Sequence, residues 1–371
     1  MRKRRCDASG ETAMKSYGTW LCLLCLSLTA LAQQPEAANQ QTTEAAPETT
    51  LTLNVAVTDK SGKLVRGLHQ QDFAVFDNKK PQKVDSFREV EPNSSDPVKV
   101  ILLVDEVNTA YSVVAYEREQ LKNFFMQNGG KMTQPITLAF FSDNGVQMQN
   151  APSADGAALL ATLDSHEARM RTIRRSAGFY GAAERYQLSL QTLESLTDAE
   201  ARTPGRKLVV WISPGWPMLS GPNIEMTNRE LNGLFRNVVA MSALLRRAEI
   251  TLYAVDPLGM SDAGSTQQFY YKSFLDGVKK INNVQSGNLA LQVLAVQSGG
   301  MVLNSSNDIA GEIARCVADA DGYYVLQLQM APAEKPDEYH SIVVQVNRAG
   351  LIARTRTGYY AQTPSSRVLL H

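Results

Sequence analysis

The chain divides by the period of its apolar positions. Residues 51–57 alternate, with Leu51, Leu53, Val55 and Val57 on one face, which predicts a half-buried strand. Phe73 to Phe76 and Val84 to Val90 predict further short strands around a turn at Asp77-Asn78. From Val98 the pattern changes. VKVILLV at 98–104, Ile136 to Phe141, KLVVWIS at 207–213 and Ile250 to Val255 are apolar without alternation, as in strands buried on both faces of a parallel sheet. Helical periods separate them. One, roughly 113–127, turns Val113, Leu121, Phe124 and Phe125 inward. Others are predicted over about 154–164, around Tyr186, Leu190 and Leu193, and along Leu231, Leu234, Phe235, Val238 and Leu245. Thr227 and Glu230 predict a capping box for the last of these. Further helices are expected over about 288–298 and around Ile309, Ile313 and Val317, before closing strands at Tyr323 to Leu328, Ser341 to Val346 and Ile352 to Arg356.

Alternation of strand and helix over 97–320 predicts an α/β fold, a doubly wound and mostly parallel sheet. The β segments at 51–92 and 322–361 differ from it in kind. Each is too short to be stable alone, so the two are expected to pack together as one small β domain. Residues 258–287 are polar and Gly/Ser-rich and predict a surface excursion with some helix near Phe269 to Val278.

The amino terminus predicts a cleavable secretory signal over 1–32. Lys15 precedes an apolar stretch from Trp20 to Leu31, and Ala30-Leu31-Ala32 has the small-x-small form of a cleavage site; Met14 offers an alternative start. That stretch is shorter than the ~20 residues that cross a bilayer. Residues 33–50 then read as a disordered linker and 362–371 as a tail. The expected product is secreted or periplasmic, cut near Ala32-Gln33, with no transmembrane segment. Cys6, Cys22 and Cys25 would leave with the signal, and only Cys316 remains, placed by its apolar neighbours in a helix core. Removing 1–32 takes Arg2, Lys3, Arg4, Arg5, Lys15, Asp7 and Glu11 from totals of 37 basic and 37 acidic residues, leaving a charge of −3. That balance excludes the basic stripe of a nucleic-acid binder.

Candidate chemistry gathers where the first buried strand ends. Asp105, with Glu106, Asn108 and Thr109 after it, places hard oxygen ligands at the carboxyl end of a strand, where open α/β sheets bind ligands. A divalent cation such as Mg²⁺ takes such oxygens. Capping of the following helix by Asp105 is the competing reading. Trp211 belongs to a strand, whereas Trp216, between Gly215 and Pro217, reads as a loop contact for a partner. Arg169, Arg171, Arg174 and Arg175 crowd a stretch without period, 165–182, suited to an anionic partner or to solvent. The four histidines, His69, His166, His340 and His371, have no HExxH spacing, and no Gly-x-Ser-x-Gly elbow is present; they read as isolated surface residues.

Over residues 51–361 the chain resembles the von Willebrand factor type A domain proteins of the secreted bacterial group called VWFA-related. The carriers are VTDKSGKLVRGLHQQDFAVFDN, ILLVDEVNT, PGRKLVVWISPGWP, LYAVDPLG, QSGG and RTRTGYYA, in that order. The resemblance implies the doubly wound sheet and a metal-ion-dependent adhesion site. Asp105 and Thr109 match its first-loop Asp and second Ser, while Val107 stands where the middle hydroxyl belongs. The second-loop Thr has no clear counterpart, Thr172 and Ser176 matching by region only, and Pro214 falls at the third-loop Asp. Asn108 and Ser213 would have to compensate, so the implied Mg²⁺ or Mn²⁺ site is degenerate. The Asp-x-Asp motif of haloacid-dehalogenase phosphatases fails at Val107, which leaves acid–base work without a carrier. The expectation is a non-enzymatic module engaging a protein partner through loops at the carboxyl end of the sheet, with Trp216, Arg174 and Arg175 as contacts. A metal-free structural or assembly role in the cell envelope is the alternative.

Overall fold

Among the described residues, the apolar runs at 51–57, 98–104, 136–141, 207–212 and 250–255 form strands. From the amino end, β1 (Thr50–Thr58), β2 (Phe73–Asp77), β3 (Lys80–Gln82) and β4 (Ser86–Val90) precede β5 (Val98–Asp105) and α1 (Tyr111–Phe125). Then come β6 (Lys131–Ser142), β7 (Gly145–Met148), β8 (Ser153–Asp155), α2 (Gly156–Ser165), α3 (Gly178–Glu200) and β9 (Arg206–Ile212). α4 (Asn228–Arg247), β10 (Ile250–Val255), α5 (Gln267–Tyr270), α6 (Leu291–Gln297), β11 (Val302–Leu303) and α7 (Ile309–Val317) follow. The chain closes with β12 (Tyr323–Gln329), β13 (Glu338–Val346), β14 (Ile352–Arg354) and β15 (Gly358–Ala361). This computed structural model describes residues 50–91, 98–166, 178–217, 226–259, 267–330, 333 and 335–361, all within one compact unit, Pro47–His371. The signal at 1–32, the linker up to residue 49 and the tail at 362–371 lie outside the described residues. Among the described residues no helix is long and apolar enough to cross a membrane.

The central sheet runs β11-β10-β9-β5-β6-β7, with β8 also paired to β6. Its inner strands are parallel, and β7 and β8 are antiparallel to β6. Alternate residues of each strand feed two cores. Ile101, Leu103, Val209 and Trp211 pack with Leu193 of α3, Val238 and Leu245 of α4 and Leu294 of α6. Val100, Leu102, Leu208 and Val210 pack with Leu121 and Phe125 of α1, Leu163 of α2 and Ile313 of α7. Helices therefore cover both faces, which is why the strands read as unbroken apolar runs. Thr227 caps α4 through the reciprocal box with Glu230. α1 stops at Phe125, short of the predicted end, because Asn128, Gly129 and Gly130 take left-handed conformations that a helix cannot.

The two terminal β segments interlock. β1 pairs with β12 over Thr50↔Gln329 to Val55↔Tyr324, and β2 pairs with β13 over Phe73↔Val346 to Asp77↔Ile342. Two four-stranded sheets result, β14-β1-β12-β4 and β15-β13-β2-β3. Leu51, Leu53 and Leu326 of one meet Phe73, Val75 and Ile342 of the other in a single core, so the sheets form a sandwich. A buried ionic cluster joins this sandwich to the central sheet. Tyr253 donates its hydroxyl to Asp319 at 2.5 Å, and Arg354 of β14 bonds the same carboxylate oxygen. Arg206 donates to the Asp319 carbonyl at 3.1 Å and lies 4.6 Å over the Tyr323 ring.

Candidate functional site

The order of the central sheet reverses between β5 and β9, since successive connections leave this pair in opposite directions. Open α/β sheets hold their ligands in the crevice beyond such a point. Asp105 closes β5 there and is wholly buried. Its Oδ1 accepts from the amides of Val107 (2.9 Å) and Asn108 (2.8 Å), and its Oδ2 from Asn108 Nδ2 (2.9 Å) and Trp211 Nε1 (3.0 Å). Ser213, just after β9, is a further hydrogen-bond partner. Burial nonetheless outweighs these donors and raises the carboxyl above its ordinary range.

This arrangement corrects the capping reading of Asp105. It does not cap α1, whose N-cap is Ala110 with no side-chain bond; it closes the tight turn at 106–108. Nor does the donor set fit the metal implied by the resemblance. Both carboxylate oxygens already carry two donors each, Val107 is apolar and in the core, and Ser213 accepts from the Gly215 amide while bonding Asp105. Asn108 turns its amide nitrogen to Asp105 and Ser189, leaving Oδ1 with no partner, and the buried Thr109 hydroxyl has none either. The Asp105 carboxylate, already filled by four donors, is not left open to join these two neutral oxygens on an ion, and Mg²⁺ surrenders its waters reluctantly. Among the described residues no group of three His, Cys, Asp or Glu is placed to hold a metal.

Trp216 also departs from expectation. Gly215 at φ 102° turns the loop inward, and the Trp216 ring sits in the core against Trp211, centroids 5.1 Å apart, with its indole nitrogen unpaired. At 4% exposure it offers no surface to a partner. Arg174 and Arg175, like Thr172 and Ser176, lie outside the described residues.

Several residues at this end of the sheet were not legible in sequence. Ser189 of α3 receives Asn108 Nδ2 at 2.9 Å and donates to the Arg185 carbonyl, and the Arg185 guanidinium has a buried nitrogen with no partner. Burial lowers the Arg185 pKa, against the attraction of Asp105. His166 is not an isolated surface residue. Its Nε2 lies 2.8 Å from Glu106 Oε1 and its ring stacks on Phe140 at 3.6 Å, beside a cavity of about 280 Å³ lined also by Thr162 and Ser165. Glu117 of α1 is buried, and burial, with Asp105 and Glu106 nearby, pushes its carboxyl well above the usual range. Of the large aromatic side chains among the described residues, Tyr111, Phe179 and Tyr180 reach furthest into solvent. Tyr111 opens α1 just beyond the Asp105 turn and is 83% exposed; Phe179 and Tyr180, in the first turn of α3, are 59% and 83% exposed. α3 passes Asn108 at Ser189 and reaches the other end of β5 at Glu200, which pairs with Lys99. Its first turn therefore projects past the carboxyl end of the sheet.

No family model matches the chain, and no curated protein matches it in sequence. Among solved structures it is similar to the human COPII-coat protein Sec24c, at 9% identity and a TM-score of 0.29, over 72% of this chain and 44% of that one. It is also similar to the pilus adhesin SpaC from Lactobacillus rhamnosus GG, at 10% identity and a TM-score of 0.34, over 79% of this chain and 48% of that one. The chain thus spans less than half the length of either protein.

Proposed function

We propose that this protein is a secreted or periplasmic, non-enzymatic binding module with a von Willebrand A-type core, engaging a protein partner at the carboxyl end of its central sheet. The observation that carries the reading is the exposure of Tyr111, Phe179 and Tyr180 at that end. Aromatic side chains are enriched at protein interfaces, where they supply large contact area at low entropic cost. The sheet order, reversing between β5 and β9, supports the A-type assignment. Beneath these aromatics, Asp105 acts as a structural anchor for the 106–109 loop, and no metal is required. A photo-reactive phenylalanine placed at position 180 should give one discrete protein adduct in intact cells. The same group at Lys83, 87% exposed on the sandwich, should give none. Equal labelling from both positions, or no adduct from position 180, overturns the proposal.

A further inference from the structure

A second surface lies between the sandwich and the α/β part, away from the residues of the Asp105 network. It is a cleft of about 730 Å³. Four lysines line it: Lys79 from the β2–β3 hairpin, Lys279 and Lys280 from the segment after α5, and Lys335 ahead of β13. All four are exposed, and none has an ion-pair partner among the described residues. Asp337 and Glu338 also line the cleft, so cations exceed anions there by two in a chain whose formal charge is zero.

The backbone around the cleft is unusual as well. Asp77 pairs with Lys80, so Asn78 and Lys79 form a two-residue hairpin loop, with φ of 47° and 70°. Such a loop favours Asn followed by Gly, because both residues need positive φ. Here Lys stands where Gly is least strained. Asp337 is left-handed too, at φ 59°, so three of the five described non-glycine residues with positive φ border this one cleft. Backbone strain of this kind persists where a side chain is needed in place.

We propose that the cleft binds an acidic peptide segment of a partner protein. Unpaired ammonium groups are compact point charges that take carboxylates without demanding bidentate geometry. Ile281, partly exposed in the cleft, supplies the rest of the recognition as apolar surface for side chains between the acids. A sugar polyanion is less well matched. The aromatic ring it would stack on, Tyr339, is packed against Tyr360 at 5.2 Å, and a Cβ at Gly277 would come within 2.1 Å of that ring. The Tyr339 hydroxyl is committed to the Thr357 carbonyl at 3.3 Å. A cleft of this size also falls within the ~300–1,000 Å³ of sites that enclose several groups at once, more than one phosphate ion fills.

The test uses the purified full chain and a fluorescein-labelled peptide, Glu-Glu-Leu-Glu-Glu-Leu-Glu-Glu, read by fluorescence anisotropy at low and at high salt. Binding should be measurable at low salt and weaken as salt screens the lysines. Lys279→Glu with Lys280→Glu should weaken it about tenfold or more, since like charges then face the ligand. Lys79→Gly removes a charge while relaxing the turn, so it should lose affinity with an unchanged or raised melting temperature. The same charge change made elsewhere, Lys122→Glu with Lys131→Glu, should leave binding intact. Absence of binding by the wild type, or an equal loss in that control pair, overturns the proposal. Displacement of the peptide by oligogalacturonate at lower concentration than by unlabelled peptide overturns it in favour of an acidic polysaccharide.

Discussion

Trp211 donates its indole N–H to Asp105 Oδ2 at 3.0 Å, across 106 residues of sequence and between two adjacent parallel strands. The bond ties the loops after β5 and β9 together at the point where the sheet order reverses. It gives the buried carboxylate a structural task that a helix cap or a metal ligand would not have. A buried charge survives only when its lone pairs are met, and here the protein meets them with its own donors.

Removing Asp105 should therefore cost more than a cap. Asp105→Ala strands the Val107 and Asn108 amides and the Trp211 indole without an acceptor, at roughly 1–3 kcal/mol for each buried group left unpaired. Urea denaturation should show a loss above about 3 kcal/mol, beyond the ~0.5–2 kcal/mol of a lost N-cap. Trp211→Phe removes one donor and should cost less. Millimolar Mg²⁺ should leave the wild-type melting temperature in place, because only an ion bound by the folded state raises it. A metal-dependent rise would restore the adhesion site.

Asp319 and Arg354 carry the junction between sandwich and sheet. Asp319 is 3% exposed and accepts from both Tyr253 and Arg354. Arg354→Met leaves that carboxylate buried with one donor fewer and should cost on the order of 3–5 kcal/mol, as breaking a buried pair does. Adding Asp319→Leu to Arg354→Met should recover part of the loss, since apolar replacement of both partners is often near neutral. Urea unfolding of the single and double variants measures it, and a double variant less stable than Arg354→Met would contradict the account.

The sandwich should be sensitive to pH through His340. Its Nδ1 lies 2.8 Å from Asp77 Oδ2, and that hydrogen bond raises the imidazole pKa above its ordinary value, against the opposing effect of burial. A raised folded-state pKa means the stabilisation is complete below about 6.5, the unfolded value, and is lost as pH climbs through the folded one. Melting temperature should therefore fall across this window in the wild type and stay flatter in His340→Gln. Parallel curves would exclude His340 as the cause.

What the sequence discloses and what it hides follow from the range of the forces involved. The buried strands are legible because burial on both faces removes polar residues from consecutive positions, as at Val100 to Val104. That the two terminal segments would pack together is also legible, since neither buries enough by itself. The task of Asp105 is not, because its partners Trp211 of β9 and Ser213 just after it arrive from a distant strand, and no period encodes which strands become neighbours. The partial burial of His166 and His340 escapes sequence for the same reason: each is paired with a carboxylate from a distant element, Glu106 and Asp77. Trp216 misleads locally. A Gly-Trp-Pro loop looks exposed until the positive φ of Gly215 turns the ring down onto Trp211.

Glu312 of α7 offers a second, separable pH effect. Its carboxyl is pushed up to about 7, first by burial and then by the charges of Asp256 and Asp308, while Oε2 has no hydrogen-bond partner. In the unfolded chain the same group titrates near its ordinary 4.5. The folded state thus favours the protonated acid, and the sign is fixed: its contribution is fully present below about 4.5 and is lost as pH rises through about 7. Glu312→Gln keeps the shape and removes the ionisation. The variant should match the wild type near pH 4.5 and melt at a higher temperature at pH 8, where the wild type must hold a charge beside two others. This window opens below that of His340 and overlaps it above about 6.5, so melting curves of the two single variants, taken from pH 4 to 9, are needed to tell the two groups apart. If Glu312→Gln is less stable than the wild type at pH 8, Glu312 is ionised there and held by a favourable partner, and burial does not keep it protonated.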